Sequence, residues 1–123
     1  MNWEKNVMFA ALKIVRSMVV TFEEDYLCEL YEYGKTSDKK HRFQPNIVKL
    51  YIKRIKQLQS FERVEDMFEI NALGYEVLQG DKKGISSIRI DKKYRIEFTV
   101  KVDDTVEPIV TICNILELSN HYQ

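Results

Sequence analysis

Arg89 and Arg95 stand on either side of a short polar break, Asp91-Lys92-Lys93, in a stretch that otherwise alternates apolar and polar residues. Ile88 and Ile90 alternate with Arg89 and Asp91, and Tyr94, Ile96, Phe98, Val100 and Val102 alternate with Arg95, Glu97, Thr99 and Lys101. A period of two belongs to a strand with one apolar face, so the stretch predicts a β-hairpin turning at the polar break. The polar row of that hairpin presents both guanidinium groups on neighbouring strands, with Lys82 and Lys83 in the loop before it. Two guanidiniums on a rigid sheet can bind a phosphate through paired N–H donors. As plain surface residues they would pair with Glu97 or Asp91. In either case the polar face is expected to be open to solvent.

The elements that position this hairpin can be read from helical and strand periods. Met18 to Phe22 is a short apolar strand. Thr21 followed by Glu24 has the form of a capping box and predicts the start of a helix, with Tyr26, Leu27, Leu30 and Tyr31 buried and Gly34 as its left-handed stop. A basic loop, Lys35 to Phe43, precedes Pro45, which suits the first turn of a second helix. In that helix Val48, Tyr51, Ile52, Ile55 and Leu58 face the core, while Lys49, Lys53 and Lys56 share another face. Glu62 to Leu73 reads as a short helix or ordered loop, Tyr75 to Gln79 as a strand, and Val106 to Leu118 as the last strand. In the last, Val110, Ile112, Leu116 and Leu118 point one way and Ile109, Cys113 and Ile115 the other, which implies an interior strand. Strand, helix, helix and then a meander of strands make an α+β domain.

The chain of 123 residues has room for a single core. Its formal net charge is zero, but the charges are segregated. Lys35, Lys39, Lys40, Arg42, Lys49, Lys53, Arg54 and Lys56 meet only Asp38 in their stretch, whereas Glu23, Glu24, Asp25, Glu29 and Glu32 form one acidic block and Glu62, Glu65, Asp66 and Glu69 another. A basic face able to follow a phosphate backbone fits this pattern, and so does a merely solvated helix surface. Cys28 and Cys113 have no motif spacing, which predicts a reduced, cytoplasmic chain. With two well-separated histidines a zinc site is not expected, and no apolar run reaches the roughly 20 residues of a membrane span. Residues 1–17 are a separate prelude. Trp3, Val7, Ala10, Ala11, Ile14 and Met18 share a helical face there, so an amphipathic helix packed on the domain or on a partner is expected. The apolar part is too short for a signal peptide and lacks a small-residue cleavage site.

Gly80-Asp81, Gly84, Arg89-Ile90, Tyr94-Arg95-Ile96 and Phe98, taken together, resemble HigB-type toxins of the RelE/ParE superfamily from type II toxin–antitoxin systems. The resemblance runs from about Met18 to the C-terminus, giving a toxin domain at 18–123 behind the 1–17 extension. It implies a RelE/ParE-like fold with N-terminal helices packed on a mostly antiparallel twisted sheet, in agreement with the order of elements. The activity it implies is a metal-independent, cofactor-free endoribonuclease that cuts messenger RNA on the ribosome. The partners it implies are the ribosome, mRNA and a helix-turn-helix antitoxin of the HigA kind, with no membrane.

Such cleavage turns the 2′-OH on the next phosphate. It needs a proton acceptor, a proton donor for the leaving 5′ oxygen, and cations for the charged phosphorane. Arg95 matches the arginine of the family's Tyr-Arg pair, and Arg89 is a second candidate cation. The family tail commonly ends in Asp-Tyr-His; here His121 and Tyr122 are present in reversed order. An imidazole with its ordinary pKa of about 6.5 can shuttle protons at neutral pH. HigB enzymes often carry His and Lys just before the Gly-Asp loop, where this chain has Glu76 and Gln79. Glu76 is therefore a candidate base, or an edge-strand carboxylate paired with a lysine, and Lys82 or Lys83 could replace the missing cation. The catalytic candidates are Arg95, His121, Tyr122, Glu76 and Arg89; those for RNA or ribosome binding are Lys39, Lys40, Arg42, Lys49, Lys53, Lys56, Lys82 and Lys83. Two alternatives stay open: a ParE-like toxin acting on DNA gyrase, and an inactive antitoxin-binding module.

Overall fold

A computed structural model describes residues 16–105, 107 and 109–120. The N-terminal helix expected over 1–17 falls almost wholly outside these residues, as do Val106, Pro108, His121 and Tyr122. Strand β1 (Arg16–Phe22) leads into helix α1 (Asp25–Tyr33) and helix α2 (Pro45–Ser60). Two single-turn 3₁₀ helices, Val64–Met67 and Asn71–Leu73, follow. Then come β2 (Glu76–Val77), a 3₁₀ turn at Gly80–Lys82, β3 (Ser86–Arg89), β4 (Arg95–Asp103) and β5 (Ile109–Ser119). They form one five-stranded sheet in the order β1-β5-β4-β3-β2. The first and last strands pair in parallel and every other pair is antiparallel, as the α+β reading requires.

The helices cover one face of the sheet. Tyr26, Leu27 and Leu30 of α1 and Ile47, Val48, Tyr51, Ile55 and Leu58 of α2 share a core with Ile88, Ile96, Phe98, Cys113, Ile115 and Leu118. Tyr51 is fully buried and donates its hydroxyl to the Leu27 carbonyl at 2.7 Å, tying the two helices together. Desolvation in the same layer raises the Tyr26 hydroxyl to about 12, partly offset by a backbone hydrogen bond at Leu118. Burial pushes the Cys113 thiol up to about 12, so it acts as a packing group. Gly34 closes α1 at φ 73° with its N–H on the Leu30 carbonyl, as its position predicts.

Three expectations need correction. Thr21 does not cap α1. It lies within β1 and donates to Asn114 Oδ1 at 2.8 Å, while the helix begins after Glu24 without a side-chain cap. The alternation read along β5 breaks at a bulge. Glu97 pairs with Glu117 but Phe98 pairs with Ile115, so Leu116 is an extra residue. That extra residue turns Leu118 onto the same buried layer as Cys113 and Ile115. Most important, the polar face of the hairpin is not open along its length. Ser87, Arg95, Glu97 and Ser119 are all buried there, beneath the segment that carries Gly74 and Lys82. The face is exposed at Arg89 and again toward β1, at Val19, Thr21, Thr99 and Lys101.

Tyr51→Phe keeps the ring and leaves the Leu27 carbonyl buried without its donor. The expected loss is about 1–2 kcal/mol in a urea titration, with the m-value unchanged.

Candidate active site

The hairpin turns where the pattern places it. Asp91 Oδ1 accepts from the backbone N–H groups of Lys93 and Tyr94 at 2.8 and 2.7 Å, and Ile90 N donates to Tyr94 O. Asp91 is thus occupied by its own turn and not by Arg89. The turn sets Arg89 directly opposite Arg95 across the β3–β4 ladder. Both side chains rise from the face away from the helices and meet at Gly74. A Cβ placed on Gly74 would lie 3.4 Å from Arg89 Cζ and 3.5 Å from Arg95 Nη1. Gly74 also has φ +52°, a backbone conformation that disfavours any side chain here, although a Cβ would meet the two guanidiniums only in ordinary contact.

The two arginines differ in surroundings. Arg95 is 6% exposed. Its Nε donates to Ser87 Oγ at 2.6 Å, and its Nη2 donates to the carbonyls of Gly74 and, at 3.2 Å, Ser87. Glu76 Oε1 lies 3.7 Å from the same nitrogen. So Glu76 pairs with Arg95, not with a lysine, from a half-open position on the edge strand β2. Arg89 is exposed, and its guanidinium makes no hydrogen bond or ion pair with a described residue. Its carbonyl accepts from Arg54 Nε at 3.0 Å, which links α2 to the end of β3.

Glu97 belongs to the next row of this face and pairs with Lys82 instead of Arg95. Lys82 Nζ sits 2.8 Å from Glu97 Oε1 and 3.6 Å from Glu117 Oε2. Glu97 and Glu117 are direct cross-strand partners, and two carboxylates in that arrangement repel unless a cation lies between them. Lys82 supplies it from the Gly80–Lys82 turn, fixing that turn to the sheet. Lys83, the next residue, is exposed.

The structure therefore brings together Arg89, Arg95, Glu76 and, in the adjoining row, Lys82. The other expected cations lie elsewhere. Lys49, Lys53 and Lys56 are exposed on α2, which packs on the opposite face of the sheet. Lys39, Lys40 and Arg42 are exposed on a loop that is organised by its own side chains. Asp38 accepts from Lys40 N and bonds His41 Nδ1 at 2.9 Å, and His41 stacks on Tyr26 with ring centroids 3.7 Å apart. The His41 hydrogen bond holds the Asp38 carboxyl below its usual value. Among the described residues no group of acidic, His and Cys side chains could hold a metal, and no helix is long and apolar enough to cross a membrane.

Sequence reasoning missed Gly74 and Ser87, and it read Glu97 only as a partner for an arginine and Arg54 only as part of the basic stretch. The pair Ser86-Ser87 held a signal, since small polar residues inside a strand leave room for a large neighbour. Glu97 held another, lying in the same polar row as Arg95.

A helical layer on one face of a β1-β5-β4-β3-β2 sheet is a RelE/YoeB-like fold. A YoeB/ParE toxin from Agrobacterium tumefaciens superposes with a TM-score of 0.52 over 84% of this chain and 98% of that one, at 14% identity. A YoeB-YefM complex from Staphylococcus aureus aligns over 85% of this chain and 98% of that one, with a TM-score of 0.45 and 21% identity. In sequence, a Haemophilus influenzae protein of unassigned function is 30% identical over 77 residues, 63% of this chain and 73% of the relative. Residues 20–110 match the family model for the RelE-like toxin of type II toxin-antitoxin system HigB. The chain belongs to that HigB family of toxins.

Replacing Lys82 by Met leaves Glu97 buried without that cation. Complete burial of a broken pair costs about 3–5 kcal/mol, and the partial exposure of Lys82 lowers the expectation to about 1–3 kcal/mol. Lys82→Met with Glu97→Gln should recover part of that loss in a double-mutant cycle followed by denaturant unfolding.

Proposed function

We propose that this toxin is a ribosome-dependent, metal-independent endoribonuclease that cuts mRNA and is neutralised by a cognate helix-turn-helix antitoxin. The observation that carries the reading is the convergence of Arg89 and Arg95 on Gly74 with the Glu76 carboxylate alongside. Positive charge fixed on a rigid sheet, next to a group able to accept a proton, is what 2′-OH attack on a phosphodiester requires. Glu76 is the candidate base, and its pairing with Arg95 would orient it. His121, with Tyr122 after it, is the candidate proton donor. It follows Ser119, the residue opposite Arg95 at the end of β5, by two positions.

Lys39, Lys40, Arg42, Lys49, Lys53 and Lys56 would serve a different purpose. Exposed and remote from the arginine pair, they fit a surface that grips ribosomal RNA, which would explain a need for the ribosome. Lys83, exposed next to Lys82, would meet the mRNA beside the site. Antitoxin binding would neutralise the protein in the cytoplasm.

Expression without antitoxin should arrest growth and deplete mRNA, and cleavage in vitro should require ribosomes. DNA damage with intact messages would favour gyrase as the target instead. His121→Ala should slow cleavage by roughly 10²–10⁴ while the domain stays folded. Glu76→Gln should abolish the acidic limb of the pH–rate profile; a purely structural carboxylate would instead cost about 1 kcal/mol of stability or less. Reversing the charge of Lys49, Lys53 and Lys56 together should weaken ribosome binding. It should also flatten the salt dependence by roughly 0.7–0.9 for each phosphate no longer neutralised. An unchanged slope would mean that this helix face is only solvated.

A further inference from the structure

We propose that the two arginines divide the work: Arg89 takes the substrate phosphate, and Arg95 is a positioning residue that holds Arg89 in place through the Gly74 turn. The identity of the phosphate, an RNA backbone, rests on the endoribonuclease reading; the division of labour rests on the geometry. A guanidinium has five N–H donors in a fixed fork. Arg95 commits its fork inward, to Ser87 Oγ, the Ser87 carbonyl and the Gly74 carbonyl, with Glu76 at 3.7 Å as counter-charge. Turning Arg95 toward a phosphate would leave two backbone carbonyls without their donor. Arg89 has the opposite character. It is exposed, and its guanidinium has no hydrogen-bond or ionic partner among the described residues.

Arg89 is nevertheless held at both ends. Its carbonyl accepts from Arg54 Nε at 3.0 Å, and its Cζ and Nη2 lie 3.4 Å from the Cβ position of Gly74. Arg95 fixes Gly74 from the other side by its hydrogen bond to the Gly74 carbonyl. Two like charges meeting at one glycine repel unless one of them is neutralised. Glu76 and the two carbonyls do this for Arg95. The charge left over among the described residues is that of Arg89, and it is open to an anion from outside. Its planar fork suits a phosphate approached in bidentate fashion.

The test uses the whole protein and reads each arginine separately. The two Nε–Hε NMR signals are assigned through the variants Arg89→Lys and Arg95→Lys, and inorganic phosphate is then titrated. The expected result is a saturable shift of the Arg89 signal, with the Arg95 signal unmoved and slow to exchange with solvent. A shift of Arg95 alone, of both, or of neither overturns the proposal. In a second arm, affinity for mRNA-programmed ribosomes is measured against salt. Arg89→Ala should lower the slope by about 0.7–0.9 with thermal stability unchanged. Arg95→Ala should keep the wild-type slope, unfold at a lower temperature and still slow single-turnover cleavage by about 10²–10³, the loss expected when one transition-state donor is misplaced. A lowered slope in folded Arg95→Ala or Arg95→Lys overturns the proposal. The phosphate titration involves no ribosome. Should Arg89 bind phosphate while no message is cut, the endoribonuclease reading fails and the division of labour stands.

Discussion

The buried guanidinium of Arg95 is the constraint on which the far side of this molecule depends. The stretch between α2 and β3 contains only single turns and a two-residue strand, and has little regular hydrogen bonding of its own. It is held by Met67 and Leu73, buried in the core, and by polar anchors: Arg95 to the Gly74 carbonyl, Tyr75 to Ser86 at 2.8 Å, and Lys82 to Glu97. A charge brought out of water must be fully partnered, and that demand is directional in a way that apolar packing is not. The anchors therefore fix the position of an irregular chain to within hydrogen-bond tolerances. The apolar layer between the helices and the sheet fixes the rest.

This division explains what could be read in advance. The helix-facing half of the fold was legible because burial there follows simple periods. Ile88, Ile96 and Phe98 alternate, and Val48, Tyr51, Ile55 and Leu58 recur at helical spacing. The same rule misled on the other face. A period-two reading assigns Arg95 and Glu97 to solvent, since nothing in the alternation says that a loop will fold over them. Their partners are a backbone carbonyl, a serine and a lysine, and no local pattern encodes those meetings. The β5 bulge was hidden for a related reason. Leu116 is apolar like its neighbours, so the register change leaves no mark in composition.

The candidate site was half legible. Residue types placed Arg89 and Arg95 on neighbouring strands, because strand register follows from the turn at Asp91, whereas Glu76 was named only from its place before the Gly-Asp loop and its pairing with Arg95 was not foreseen. Gly74 could not be found this way, because its importance comes from its left-handed backbone and from the carbonyl it turns toward Arg95. The segregation of basic residues was also real, yet it does not converge on the arginine pair. Lys49, Lys53 and Lys56 look outward from the helical layer, and Arg54 is the residue of α2 that reaches back to the strand carrying Arg89. Charge along the chain and charge in space are different maps, and the helix axis lies between them.

The parallel pairing of β1 with β5 has a consequence in time. Phe22 sits beside Ile115 and Arg16 beside Ile109, so the first strand of the sheet acquires its neighbour only when the last strand exists. Contacts between such distant parts of a chain close slowly, because the intervening loop must be ordered first. On a ribosome making this protein, β5 emerges after every other strand of the sheet. Until then the first strand has no strand partner among the described residues, and the arginine pair lacks its β5 neighbour. A sheet built on this topology closes in one late step, when its last strand joins its first.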